Sequence, residues 1–404
     1  MRCVVAVLLC VFALSGSMPQ VRTTAEVLPH DAYIWQRVWT PRLIAAARSS
    51  SDSIRAWRVL LAESDQGGRW TSVSVRWPDI LTTGRPVIGV IRIDGRLDER
   101  RMPALLDQIL AMVEAAGAHV AGLEIDYDCP TSKLPGYARF LGALRARLSR
   151  RLVLSITALP TWMNSAAMEP LARDLVEIVL QVHAVDDPRR GLFDPDQAER
   201  WVREFGRRIR RPFRVAVPAY DVRVTWRADG RLASVEGERP LLDGASNGEL
   251  LGAPPAQVLR FLQALGRSAP QNLVGIAWFR LPTDADARSW SLQTWRAVIS
   301  GALPEARLHA VLVPTQRPDV WTVTLANDGP VDATLPRQVR LDPACEMADG
   351  ANGFRLTAAS QRAEQPLVLE AAGNGGGGRL RANRERIIGW ARCAEPGREL
   401  HVVQ

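Results

Sequence analysis

Between residues 30 and 300, short apolar runs alternate with amphipathic stretches, and this alternation constrains the fold more than any single motif. Strands are expected at 32–39, 54–62, 86–94, 120–128, 152–159, 177–185, 213–220 and 273–281. Helices are expected between them, at 41–48, 98–116, 136–150, 167–175, 195–207, 255–265 and 289–300. The second of these helices shows the basis: Leu105, Leu106, Ile109, Leu110 and Val113 recur at helical spacing. Strands that alternate with helices build a parallel sheet. Eight of them over about 270 residues match a (β/α)8 TIM-type barrel, whose usual span is ~250 residues. A doubly wound α/β sheet is the alternative. That fold carries a glycine-rich phosphate loop after its first strand, whereas here the first strand runs into Trp39, Thr40 and Pro41.

The chain of 404 residues, 47% of them apolar, is long enough for two domains. Past residue 304 the pattern changes to short alternating strands, at 308–313, 320–325, 338–341, 366–369 and 386–391. Asn327, Asp328, Gly329 and Pro330 mark a turn, and 373–378 is almost all glycine. The expectation is a barrel over 30–303 followed by a small C-terminal β-sandwich-like module over 304–404. Ahead of the barrel, Arg2, an apolar run over 4–14 and the small residues Ser15, Gly16 and Ser17 have the grammar of an export signal. The reading is a signal peptide at 1–17 and a linker at 18–29, with the mature protein in the periplasm or outside the cell. The apolar run is shorter than the ~20 residues that span a bilayer, so no stable membrane span is expected after cleavage. Leu9 stands before Cys10 where a lipid-anchor signal has a small residue. In an oxidising compartment Cys345 and Cys393 are the natural disulfide pair, which leaves Cys129 as a packing residue. The net charge of +8 does not point to nucleic acid: Lys133 is the one lysine among 51 basic residues, and the arginines are scattered apart from a run at 207–211.

The segment Val-Ala-Gly-Leu-Glu-Ile-Asp-Tyr-Asp-Cys-Pro, 120–130, puts Glu124, Asp126 and Asp128 on one face of a strand. In a barrel the C-terminal strand ends form the active site, and those ends carry Arg37 and Trp39, Arg92 and Asp94, the three acids, Thr157, Gln181 and His183, Tyr220 and Asp221, and Trp278 and Arg280. Aromatic faces beside acids and hydrogen-bonding groups suit a sugar. The candidate catalytic residues are Asp128 as acid, Asp126 as its partner and Glu124 lower in the barrel, paired to Arg37, Arg58 or Arg92. The candidate substrate-binding residues are Trp39, Arg92, Asp94, Gln181, His183, Tyr220, Trp278 and Arg280. Glycosidic cleavage commonly needs one protonated carboxyl and a second group that stabilises or attacks the sugar, and neighbouring acids separate their pKa values to supply both. Competing readings are a non-catalytic carbohydrate-binding barrel, an arginine–carboxylate network, and a divalent cation on the three acids. Hard-cation sites usually draw ligands from loops as well, so no metal and no cofactor is expected. Trp35 and Trp278 are open between core packing and sugar stacking.

Gly122-Leu123-Glu124-Ile125-Asp126-Tyr127-Asp128 resembles the fourth-strand signature of the family-18 chitinases. The resemblance implies that Asp128 takes the general-acid position, Asp126 that of the acid orienting the substrate's acetamido group, and Glu124 that of the supporting acid. It likewise implies that Trp278 floors the sugar subsite and that His183 stands where the family has a tyrosine. Ala121 replaces the family's first aspartate, and Asp128 is one carbon shorter than its glutamate. The whole chain is similar to a bacterial group without assigned activity, domain-of-unknown-function family 3142. The features are Leu-Glu-Ile-Asp-Tyr-Asp-Cys, Leu-Gln-Val-His, Val-Pro-Ala-Tyr and Ile-Gly-Trp, and they imply a barrel with an appended β module.

Overall fold

The computed structural model describes residues 28–95, 97–183, 191–227, 229–236, 249–357, 366–371, 378–394, 397 and 399–403. The export signal expected at 1–17 lies outside the described residues.

Eight parallel strands form the barrel: β1 (His30–Ile34), β2 (Ala56–Ser64), β3 (Val87–Ile93), β4 (Gly122–Asp126), β5 (Val153–Ala158), β6 (Glu177–Gln181), β7 (Phe213–Pro218) and β8 (Leu273–Phe279). β1 pairs with β8 on one side and β2 on the other, so the ring is closed. Behind the strands run α1 (Pro41–Ser50), α2 (Trp77–Leu81), α3 (Met102–Ala116), α4 (Leu134–Arg147), α5 (Met168–Ala172), α6 (Pro195–Arg208), α7 (Pro255–Ser268) and α8 (Leu292–Ile299). The (β/α)8 barrel expected from the alternation is the observed fold.

Local chemistry sets the helix starts. Thr40 Oγ1 accepts from Leu43 N at 3.2 Å to cap α1, Asp194 accepts from Asp196 N and Gln197 N at 3.1 and 3.0 Å to cap α6, and Ser291 Oγ caps α8. The longer helices turn an apolar stripe inward; in α4 it is Leu134, Tyr137, Phe140, Leu141 and Leu144. Gly122 opens β4 because a Cβ there would come within 2.3 Å of Val153 Cγ2 on β5. Several strands end earlier than their apolar runs: β1 stops at Ile34, β4 at Asp126, β6 at Gln181 and β7 at Pro218. The residues that follow leave the hydrogen-bond ladder and form the mouth.

Barrel interiors are ordinarily filled by branched apolar side chains. The lower interior here holds ions. Arg58, fully buried, donates to Asp31 Oδ2 at 3.1 and 3.0 Å, and to Glu124 and Glu177. Arg214 Nε lies 3.2 Å from Asp31 and 3.0 Å from Glu177, and Arg55 grips Asp31 from the rim at 2.9 and 2.8 Å. Burial would raise Asp31, but these three arginines hold it below the usual carboxylate range. For Glu124 burial outweighs Arg58, and its pKa is raised.

Two features lie outside the ring. After β7 the chain makes a three-stranded antiparallel sheet, Asp221–Trp226 flanked by Leu232–Glu236 and Glu249–Gly252. Its buried Val222, Val224 and Leu251 pack with Tyr220 beside the mouth. The C-terminal module is antiparallel, with eight strands in one hydrogen-bonded sheet from Leu308–Pro314 to Glu399–Val403 and its own core of Leu312, Val323, Leu325, Leu369 and Ile388. Cys345 and Cys393 face each other across two of its strands and form the expected disulfide, with Cα atoms 3.9 Å apart. That is closer than the 4.4 Å at which common bridges begin. Cys129 is a buried free thiol whose pKa burial pushes up to about 11. Among the described residues no helix is long and apolar enough to cross a membrane.

Candidate active site at the barrel mouth

A cavity of about 190 Å³ opens at the C-terminal ends of the strands. Its acids are Asp126, the last residue of β4, and Asp128, two residues beyond, while Arg92 of β3, Thr157 of β5 and Gln181 of β6 stand around them. Trp35, Tyr220, His183 and Phe279 supply aromatic walls, with the Trp35 and Phe279 rings 4.9 Å apart and the His183 ring stacked on Phe279 at 5.7 Å.

Asp126 is buried. Its Oδ1 accepts from Thr157 Oγ1 at 2.6 Å, and its Oδ2 lies 3.9 Å from Arg92 Nη1. Burial nevertheless wins, and the pKa of Asp126 is raised. Asp128 accepts from Gln181 Nε2 at 3.1 Å. Its side chain is exposed, yet the protein around it still takes away part of its solvation. That loss, and then the charge of Asp126, push its pKa up to about 7. The two acids titrate as a pair that keeps a proton to near-neutral pH. His183 is held at the other extreme: burial lowers its pKa to about 4, so the ring is neutral, and its Nδ1 lies 3.4 Å from the Ala216 carbonyl. With Nδ1–H aimed at that carbonyl, Nε2 is left as an acceptor.

Asp126, Asp128, Arg92, Gln181, His183 and Tyr220 are thus brought together as cavity lining. The other residues expected at the site are placed elsewhere. Glu124 sits one layer down, accepting from Tyr33 Oη at 2.6 Å and Ser155 Oγ at 3.2 Å and paired with Arg58. Trp278 is a correction: it is 0% exposed, its Nε1 donates to His30 Nδ1 at 2.9 Å, and its ring packs on Trp290 and Trp295. Successive strand residues face opposite ways; Phe279 takes the inward position, so Trp278 must point out towards α8. Arg280 is buried beside the mouth, paired with Asp286 and lying over the Tyr220 ring at 5.3 Å, and does not line the cavity. Trp39 belongs to the barrel's hydrophobic core. Asp94 is exposed at the rim, where its backbone N–H bonds Ser64 Oγ at 3.2 Å.

Tyr33 and Phe279 are cavity residues that the strand-end reading passed over. A signal for Tyr33 existed, since Asp31, Tyr33, Trp35 and Arg37 repeat at period two along the first strand. Among the described residues no group of three His, Cys, Asp or Glu side chains is arranged to hold a metal ion.

The barrel is similar to that of two solved structures. The spore cortex-lytic enzyme SleL of Bacillus cereus is 13% identical with a TM-score of 0.50, covering 69% of this chain and 75% of that one. SleL of Bacillus megaterium is 12% identical, also at 0.50, covering 69% and 74%. At such identities the likeness shows the shared fold. No curated protein matches the sequence. Residues 310–394, within the C-terminal module, match a second domain of unknown function, DUF8456. Residues 83–284, which include both acids of the cavity, match the domain of unknown function DUF3142, and the chain belongs to that family.

Proposed function

We propose that this protein is an exported glycoside hydrolase that cleaves a polysaccharide or oligosaccharide at the barrel mouth, with Asp128 as proton donor and Asp126 as the group that steadies the developing positive charge. The observation that carries the reading is the carboxyl pair itself. Two acids share one small cavity, and the one nearer solvent is pushed up to about 7. A general acid works best with a pKa near the operating pH, and an oxocarbenium-like transition state needs negative charge close by. Asp126 meets the second need because Thr157 fixes its Oδ1 and leaves the carboxylate beside the cavity.

The aromatic walls support a sugar as the ligand. Trp35 and Phe279 offer apolar faces for a ring, while Gln181, His183 Nε2 and Tyr220 offer polar groups for its hydroxyl rim. The SleL proteins, named as spore cortex-lytic enzymes, carry the same barrel. The disulfide of the C-terminal module is of the kind kept in an oxidising compartment, which supports export.

Asp128→Asn tests the assignment against a panel of β-linked and N-acetylated glycans. It preserves size and hydrogen bonding but removes the transferable proton, so hydrolysis should fall by ~10²–10⁴ while substrate binding persists. A variant that cleaves as fast as the parent refutes the role of Asp128. A sugar that both proteins bind and neither cleaves replaces the hydrolase with a carbohydrate-binding barrel.

A further inference from the structure

Several arginines around this barrel are spent on carboxylates. Arg55 holds Asp31 through two nitrogens at 2.9 and 2.8 Å, Arg37 holds Glu63 through two at 2.5 Å, and Arg379 holds Asp221 at 2.7 and 2.6 Å. Arg92 is different. Its guanidinium lines the cavity and makes no hydrogen bond to any described residue. Asp126 Oδ2 is its nearest carboxylate oxygen, at 3.9 Å, which is a Coulombic contact and beyond hydrogen-bond reach. The side chain is 37% exposed, so solvent in the cavity reaches it. It also lies over the Trp35 ring, 5.9 Å from the centroid. A guanidinium resting on an aromatic ring is held by one face, and its N–H edge remains free for an in-plane partner.

The partner that matches this edge is a planar anion. Carboxylates take two parallel N–H···O bonds from arginine, stronger than bonds between neutral groups. Asp126 does not fill that position: Thr157 ties its Oδ1 at 2.6 Å and keeps the carboxylate turned to β5. A second carboxylate can therefore arrive on the open side of Arg92, between it and the cavity.

We propose that Arg92 seats a carboxylate carried by the substrate, so that the ligand of this mouth is an acidic sugar, with the carboxyl either on the ring carbon chain, as in a uronic acid, or on an ether-linked side arm. The inference rests on the reading of the cavity as a sugar site and adds the chemical class of the sugar. It makes Arg92 a specificity residue, separate from the proton chemistry of Asp128.

Calorimetric titration of the parent protein at pH 7 tests it with three acids, glucuronic, galacturonic and N-acetylmuramic, each against its own methyl ester. The ester keeps the shape and removes the charge; the first two acids and the third separate the two carboxyl sources. At least one acid should bind ~10- to 100-fold tighter than its ester, the usual worth of hydrogen bonds to a charged group. Arg92→Gln should erase that ratio, and Arg92→Lys should restore part of it. If acid and ester bind alike in all three pairs, or the preference survives in Arg92→Gln, the proposal is wrong and the sugar reading stands. Tighter binding of galactose 6-sulfate than of every carboxylate overturns it as well. If neither these probes nor neutral sugars bind at all, the sugar reading falls and takes the proposal with it.

Discussion

Replacing Arg58 by methionine isolates the ionic layer beneath the cavity. In the parent, the guanidinium is fully buried and bonded to Asp31, Glu124 and Glu177. Methionine fills much of the volume but leaves those acids with fewer cations. Asp31 and Glu177 keep Arg214 at 3.2 and 3.0 Å, and Asp31 keeps Arg55. Glu124 keeps only the neutral donors Tyr33 and Ser155. Stripping one partner from a buried ion pair costs about 3–5 kcal/mol, a fifth or more of the ~5–15 kcal/mol that hold a typical protein folded. The penalty should depend on pH with a definite sign. Burial already raises Glu124 in the parent, and without Arg58 it rises further, so the variant takes up a proton on folding at neutral pH. Its deficit should be greatest at pH 7.5 and shrink at pH 5, where that proton is freely available. Glu124→Gln added to Arg58→Met should recover part of the loss at pH 7.5. Thermal unfolding followed by near-ultraviolet circular dichroism gives the comparison, with an expected drop on the order of 10 °C. A pH-independent deficit, or one below ~1 kcal/mol, would show that the network is not a set of mutually dependent buried charges.

Two further outcomes follow from the site and the core. Carbon-13 titration of labelled carboxyls should place the Asp128 midpoint near 7, with hydrolysis declining as pH rises through it and falling again at lower pH as Asp126 takes up its proton; Asp126→Asn should move the midpoint down, and an unmoved midpoint denies the coupling. Trp278→Ala should cost about 3–5 kcal/mol as a buried aromatic truncation, read by urea denaturation, and leave sugar affinity of the folded protein unchanged; intact stability with lost affinity would return Trp278 to a stacking role.

The barrel was legible because its evidence is repeated. Eight apolar runs at even spacing outweigh an error in any one of them, and the acidic strand advertised its inner face through Glu124, Asp126 and Asp128. The parity of β8 was not legible. Nearly every residue of Leu273–Phe279 is apolar, since both faces of a barrel strand are buried, and hydrophobicity then carries no phase. Trp278 and Phe279 were therefore interchangeable on paper, and the fold resolves them through the space that Trp290 and Trp295 leave for an indole. Arg280 misled for a related reason: its partner Asp286 is only six residues on, but the loop between them gives no periodic sign of turning back. The three-stranded sheet after β7 was unreadable because arginines and glycines interrupt its short alternations.

Arg379 and Arg381 stand two residues apart on the C-terminal module, and both grip the barrel's rim. Arg379 holds Asp221, next in sequence to the cavity residue Tyr220, while Arg381 donates to the carbonyls of Thr283 at 3.4 Å, Ser289 at 3.3 Å and Asp286 in the loop after β8. The module is thus the buttress of one cavity wall. Burial pushes Asp221 up to about 6 even with Arg379 beside it. With the module loosened, that carboxyl would lose the counter-ion that ties it to the module. The ion pair next to Tyr220 would open while every barrel strand stayed paired, so damage to the module reaches the mouth through one lost tether before it reaches the barrel's own ladder.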